Sequence, residues 1–272
     1  VLTGYPCCTT NMHQGWPKFT QNLWYATADN GLAALVYAPS KVTAKVADGV
    51  EATITEETAY PFEETIRFTL RLPKPTRFPL HLRVPAWCEK PALTVGGNAV
   101  ELPLPLGEGR GEGGIVKLDR EWGTLETIEL RLPMAVRTSR WAEESVGIER
   151  GPLVYALRIG EDWKEVHDPA HPHSYFEVYP TDPWNYGLVE KELANLAVAS
   201  VGDVPDYPWN LDSAPLRMTA KAVRIPEWTL YNNSAGPLPR SPWPMGEAKI
   251  EEVTLVPYGC TTLRIAQFPV VR

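Results

Sequence analysis

Short runs of alternating apolar and polar positions dominate the chain. In TIRFTLRL, residues 65–72, Ile66, Phe68, Leu70 and Leu72 alternate with Thr65, Arg67, Thr69 and Arg71. A period of two gives a strand one dry and one wet face. The same alternation recurs in KVTAKV, VEATITEE, PLHLRV and TIELRL, and short strands parted by Pro/Gly turns over roughly 100 residues predict an antiparallel β-sandwich. The 27 prolines agree, since Pro marks turns and edges in all-β chains. LPLPLGEGRGEGG, residues 102–114, reads as a hairpin excursion because strand patterns resume on both sides.

One stretch departs from this period. From about Thr10 to Thr27, Trp16, Phe19, Leu23 and Ala26 recur at three- and four-residue spacings, which predicts an amphipathic helix. Pro17 would sit in its first turn or at a kink, and ADNG at 28–31 reads as its stop. A second β unit begins near ERGPLVYALRI (149–159). From Asp162 to Asn210 the pattern loosens into an aromatic, proline-rich surface. KIEEVTLVPYGCTTLRIAQFPV then reads as two strands joined at Pro257 to Gly259.

A chain of 272 residues with 44% hydrophobic content can bury one large core or two ordinary ones. Its formal charge of −7 is not set against any basic cluster, which argues against a nucleic-acid partner. No apolar run approaches the roughly 20 residues of a membrane helix. The opening VLTGYPCC lacks the basic and apolar regions of a signal peptide. The chain does not begin with Met and reads as a fragment or processed piece, which leaves a cytoplasmic and a periplasmic location both open.

Cysteine occurs only at 7, 8, 88 and 260, without CxxC spacing, so folding rests on packing and not on a disulfide framework. The adjacent Cys7 and Cys8 leave three readings open: buried small apolar residues, a vicinal disulfide in a distorted ring, or a pair of thiolates. Only the last implies chemistry.

Several ordered segments resemble glycoside hydrolase family 127, whose characterised members include β-L-arabinofuranosidases. They are Cys7, Cys8 and Asn11, then NMHQGWPKF, ERGPLVYAL, PWNYGL and VPYGCTTLRIAQFP. The resemblance implies an (α/α)6 barrel carrying the active site, followed by two antiparallel β-sandwiches. This chain would then be mainly β, with residues 1–30 as the last helix of a truncated barrel. Residues 31–145 would form the first sandwich, 146–248 the second, and 249–272 strands returning to the first.

The resemblance further implies that Cys7 is a nucleophile and that Cys7 and Cys8 ligate zinc. A free thiol near pKa ~8.5 is mostly protonated at neutral pH, and a metal or a helix N-terminus stabilises its thiolate. Zinc takes four ligands; in the family the other two, and the acid/base, lie on barrel helices that have no matching motif here. The expected partners are a carbohydrate substrate and that missing N-terminal barrel. The activity implied is that of a retaining glycosidase, silent in this chain alone. The alternative is a stand-alone carbohydrate-binding or interaction module.

Other residues invite weaker readings. His13 and Gln14 lie one turn beyond the cysteine pair, and Gln14 departs from the Arg carried by many relatives. His167, His171 and His173 are separated by prolines, with no carboxylate or cysteine to complete a tetrahedral set, and read as a solvated loop. Trp184, Tyr186 and Trp209 are either a sugar platform or, as the favoured reading, seals of a sandwich edge or a domain interface. Glu63 with Glu64, and Glu143 with Glu144, read as solvated turns.

Overall fold

The computed structural model describes residues 11–102, 113–167, 169 and 174–272. The chain divides between Met134 and Ala135 into two units. In the first, one helix, α1 (Gly15–Gln21), precedes ten strands: β1 (Trp24–Ala26), β2 (Leu32–Ala34), β3 (Ser40–Val46), β4 (Val50–Thr58), β5 (Thr65–Arg71), β6 (Thr76–Val84), β7 (Ala92–Val95), β8 (Asn98–Val100), β9 (Gly114–Trp122) and β10 (Leu125–Arg131).

These strands form a four-stranded sheet, β1-β2-β6-β9, and a six-stranded sheet, β3-β4-β5-β10-β7-β8. The alternation read from the sequence sets which side chains meet. Ile66, Phe68 and Leu70 of β5 are fully buried beside Ile54 of β4 and Ile128 of β10, in one core with Phe78, Leu80 and Leu82 of β6 and Trp122 of β9. Phe68 pairs with Ile128 on one side and with Glu56 on the other. Burying each such side chain contributes about 2 kcal/mol.

The helix expected from Thr10 to Thr27 is much shorter among the described residues. It ends at Gln21, where the Asn22 N–H bonds to the Phe19 carbonyl and its side chain to the Lys18 carbonyl at 2.6 Å. No residue of α1 is buried; Trp16 and Phe19 are exposed, while Leu23 packs inward. Residues 24–26 pair instead with 32–34 as a hairpin, so ADNG is a strand-to-strand turn and not a helix stop. Gly31 is required there by close approach: a Cβ would lie 2.1 Å from the Pro79 carbonyl oxygen. The division at residue 30 is corrected accordingly, because strands on both sides of it share one sheet.

The second unit contains β11 (Val136–Arg140), β12 (Val146–Arg150), β13 (Leu153–Leu157), β14 (Glu161–Val166), β15 (Tyr175–Pro180), β16 (Tyr186–Val189), β17 (Val198–Ser200), β18 (Leu216–Arg224), β19 (Leu230–Tyr231), β20 (Ser234–Ala235), β21 (Ile250–Pro257) and β22 (Val270–Val271). Its main sheet runs β11-β12-β13-β21-β18-β16-β22, with β17 also on β18. Two hairpins, β14–β15 and β19–β20, stand apart from it.

Two boundaries differ from those expected. Residues 136–140 pair with 146–150, which moves the end of the first unit back from 145 to 134. The closing segment does not return to the first unit: β21 lies between β13 and β18. Its Val253, Leu255 and Val256 are buried, and its backbone groups find ladder partners on both edges.

Candidate functional site

Cys7 and Cys8 lie outside the described residues, as do His171 and His173. The other two cysteines are buried, Cys88 in the first unit and Cys260 in the second. Burial pushes the Cys260 thiol up to about 11, and it donates to the Pro208 carbonyl at 3.2 Å. It is a packed thiol. Among the described residues no three His, Cys, Asp or Glu side chains converge on a point that could hold a metal.

The remaining candidates divide sharply. His167 is exposed, 3.8 Å from Glu165 Oε1. Gln14 donates to the Asn11 side chain at 3.1 Å, and His13 is exposed. Glu64 accepts from the Met134 N–H and pairs with Arg131, so it ties strand ends together. Glu143 and Glu144 occupy left-handed backbone in the turn before β12. Trp184 packs edge-on to Trp228, with centroids 5.1 Å apart. Tyr186 is buried, and its hydroxyl donates to Glu251 Oε2 at 2.9 Å; burial first and then this carboxylate raise its pKa. Trp209 lies against Gly259, where a Cβ would be 2.7 Å from its ring. These aromatics seal the second unit.

Four carboxylates that the sequence did not single out each gather two or more polar partners. Glu56 is 2% exposed on the inner face of β4. It accepts from the Ala38 N–H and the Ser40 hydroxyl, both at 3.1 Å, and Ser40 Oγ in turn accepts from the Trp24 indole. Burial raises its pKa to about 7 against those bonds. On the outer face of the first unit, Asp29 meets Lys117 at 2.9 Å and His81 at 3.1 Å. A Thr27 hydroxyl and then Lys117 hold its carboxyl well below the usual range.

In the second unit, Glu161 gathers the N–H groups of Thr262 and Leu263, the Thr261 hydroxyl and the Trp163 indole. Burial opposes its charge, but these donors outweigh burial and hold its pKa below the ordinary value. Glu190 pairs with Arg272 and Arg140. Strand alternation was the available signal for Glu56, two places from Ile54; nothing local marks the Thr261, Thr262 and Leu263 partners of Glu161, which lie a hundred residues away.

One concavity has the character of a binding site. A cleft of about 320 Å³ in the second unit is lined by Trp228, Trp243, Tyr231, Thr229, Pro237 and Glu227, among others. Trp228 is 4% exposed and anchored by its indole to the Gly236 carbonyl at 3.0 Å. Trp243 is fixed through backbone bonds with Val270 and Arg272. The opposite wall is the β19–β20 hairpin, turned by Asn232 and Asn233 with φ of 49° and 59°, which leaves Tyr231 66% exposed.

The fold thus defines a mainly β chain of two units, with a short helix at its described start. Residues 31–134, nearly the whole first unit from β2 onward, match the family model described as "Beta-L-arabinofuranosidase, GH127 middle domain". That stretch is therefore similar to the middle domain of glycoside hydrolase family 127. Its fold is similar to a solved GH127 β-L-arabinofuranosidase from Geobacillus stearothermophilus T6, with TM-score 0.65 and 21% identity, over 97% of this chain and 37% of that one.

It is likewise similar to a second GH127 β-arabinofuranosidase, with TM-score 0.64 and 19% identity, over 98% of this chain and 39% of the other. A protein described as a glycoside hydrolase gives TM-score 0.60 and 22% identity, over 99% and 41%. The chain thus spans about two fifths of the length of these structures. No curated protein matches it in sequence. Among the described residues no helix is long and apolar enough to cross a membrane.

Proposed function

We propose that this chain is the C-terminal, β-rich portion of a retaining glycoside hydrolase acting on L-arabinofuranosides or related sugars. The observation that carries the reading is the match of residues 31–134 to the GH127 middle domain. In this reading α1 belongs to the last helix of an (α/α)6 barrel, and the two units are sandwich domains that brace it.

Cys7 is the nucleophile of the complete protein. Its thiolate forms a bond to the anomeric carbon as the bond to the departing oxygen breaks, and a carboxylic acid gives that oxygen its proton. Water then attacks the same carbon and releases the thiolate, the double displacement of retaining enzymes. Cys7 and Cys8 would be two of the ligands of a zinc ion in that complete protein. In this reading the acid and the other ligands come from the barrel, since among the described residues no three His, Cys, Asp or Glu side chains group to hold a metal.

The test is hydrolysis of an aryl β-L-arabinofuranoside by this chain and by a longer product of the same gene. Cleavage only by the longer product, abolished by Cys7→Ser, is the expected result. Cleavage by this chain alone would place the acid within these residues and refute the division.

A further inference from the structure

We infer that the cleft between Trp243 and the β19–β20 hairpin is a binding site for a neutral, pentose-containing oligosaccharide. The choice of sugar class rests on the glycosidase reading above; the cleft itself rests on its geometry.

Its floor is the half-buried Trp243, with the almost fully buried Trp228 beside it holding the shape. Trp228 is clamped between its bond to Gly236 and its edge contact with Trp184. Trp243 is held by strand-like bonding to Val270 and Arg272, at 2.7 and 3.1 Å. An aromatic surface that does not have to be ordered on binding favours the flat C–H face of a sugar ring at little entropic cost. Tyr231, at the exposed wall, supplies a third ring.

The polar complement suits hydroxyls. Glu227 offers two acceptor oxygens, and the Thr229 and Tyr231 hydroxyls both donate and accept. Among the described residues that line the cleft there is no Lys or Arg, so a phosphate or uronate would meet a carboxylate and no cation. A volume of about 320 Å³ is at the small end of ligand sites, which fits a chain end or one to two sugar units. The stretch PEWTLYNN with PRSPWP encodes this arrangement: Asn-Asn turns the hairpin, and prolines stiffen the wall.

The test is titration of this chain with arabino-oligosaccharides. It is read by calorimetry and by the indole N–H signals of Trp228 and Trp243 in two-dimensional NMR. Saturable binding that shifts those two signals, and that weakens about tenfold in Tyr231→Ala and in Glu227→Gln, is expected. Both residues are at the exposed rim, so the variants fold, and Trp209→Ala serves as the aromatic control that keeps binding.

Absence of saturable binding, binding unchanged in both rim variants, or tighter binding of choline than of sugar would each overturn the assignment. Hydrolysis by the longer product is scored separately. Binding without hydrolysis keeps the cleft and sinks the glycosidase reading, and hydrolysis without binding does the reverse.

Discussion

Glu56 makes the stability of the first unit depend on pH in a direction opposite to that of a salt-bridged carboxylate. In the unfolded chain its carboxyl titrates near the ordinary 4.5; burial in the fold raises it to about 7. Between these values the folded state holds a proton that the unfolded state has lost. Its contribution is therefore complete below about pH 4.5, declines as pH rises towards 7, and is flat above. A difference of about 2.5 units sets an upper limit of roughly 3 kcal/mol.

Glu56→Gln mimics the protonated form. Its carbonyl can accept from Ala38, and its amide can donate to Ser40 Oγ. At pH 8 the variant should be more stable than the parent by about 1–3 kcal/mol, and near pH 4.5 the two should coincide. Exchange of the slow amides of β5 and β10, corrected for intrinsic rates, reads the first unit without interference from the second. Parallel pH profiles, or a variant less stable at pH 8, would refute the reasoning.

Two further outcomes follow from the geometry. Gly31→Ala should cost about 2 kcal/mol or more in urea denaturation, because the new methyl meets the Pro79 carbonyl where two backbones cross. Glu161→Gln should speed exchange of the Thr262 and Leu263 amides and cost about 1–2 kcal/mol, since it removes a charge that gathers four donors; unchanged protection would show that the segment stands without it.

What was legible in the sequence is what a strand encodes in its own residues. The alternation of 65–72 gave both the element and its buried face, and ERGPLVYAL marked a strand of the second β unit, which Gly151 at φ 56° joins to the strand before it. What failed was anything decided by a distant partner. The helical spacing of Trp16, Phe19, Leu23 and Ala26 was overridden beyond Asn22 because residues 24–26 gain a sheet edge from 32–34. The place of β21 depends on β13 and β18, nearly a hundred residues and some thirty residues upstream. The cleft was missed for the same reason: Trp243 reaches Trp228 and the hairpin only through its pairing beside Val271.

The segments of the second unit that carry the family resemblance converge on packing, not chemistry. ERGPLVYAL supplies β13, PWNYGL supplies β16, and VPYGCTT closes β21, so in this unit the resemblance records how one sheet is assembled. Two tyrosines in these segments make that testable. Tyr186 donates its buried hydroxyl to Glu251, whereas the Tyr155 hydroxyl is buried with no partner among the described residues. Removing a paired buried hydroxyl costs about 1 kcal/mol, and removing an unpaired one is neutral or favourable. Tyr186→Phe should therefore lower the melting temperature of the second unit and Tyr155→Phe should hold or raise it. A loss in Tyr155→Phe equal to that in Tyr186→Phe would mean that a buried water holds the hydroxyl, and that the ERGPLVYAL segment encloses a polar pocket instead of a dry seam.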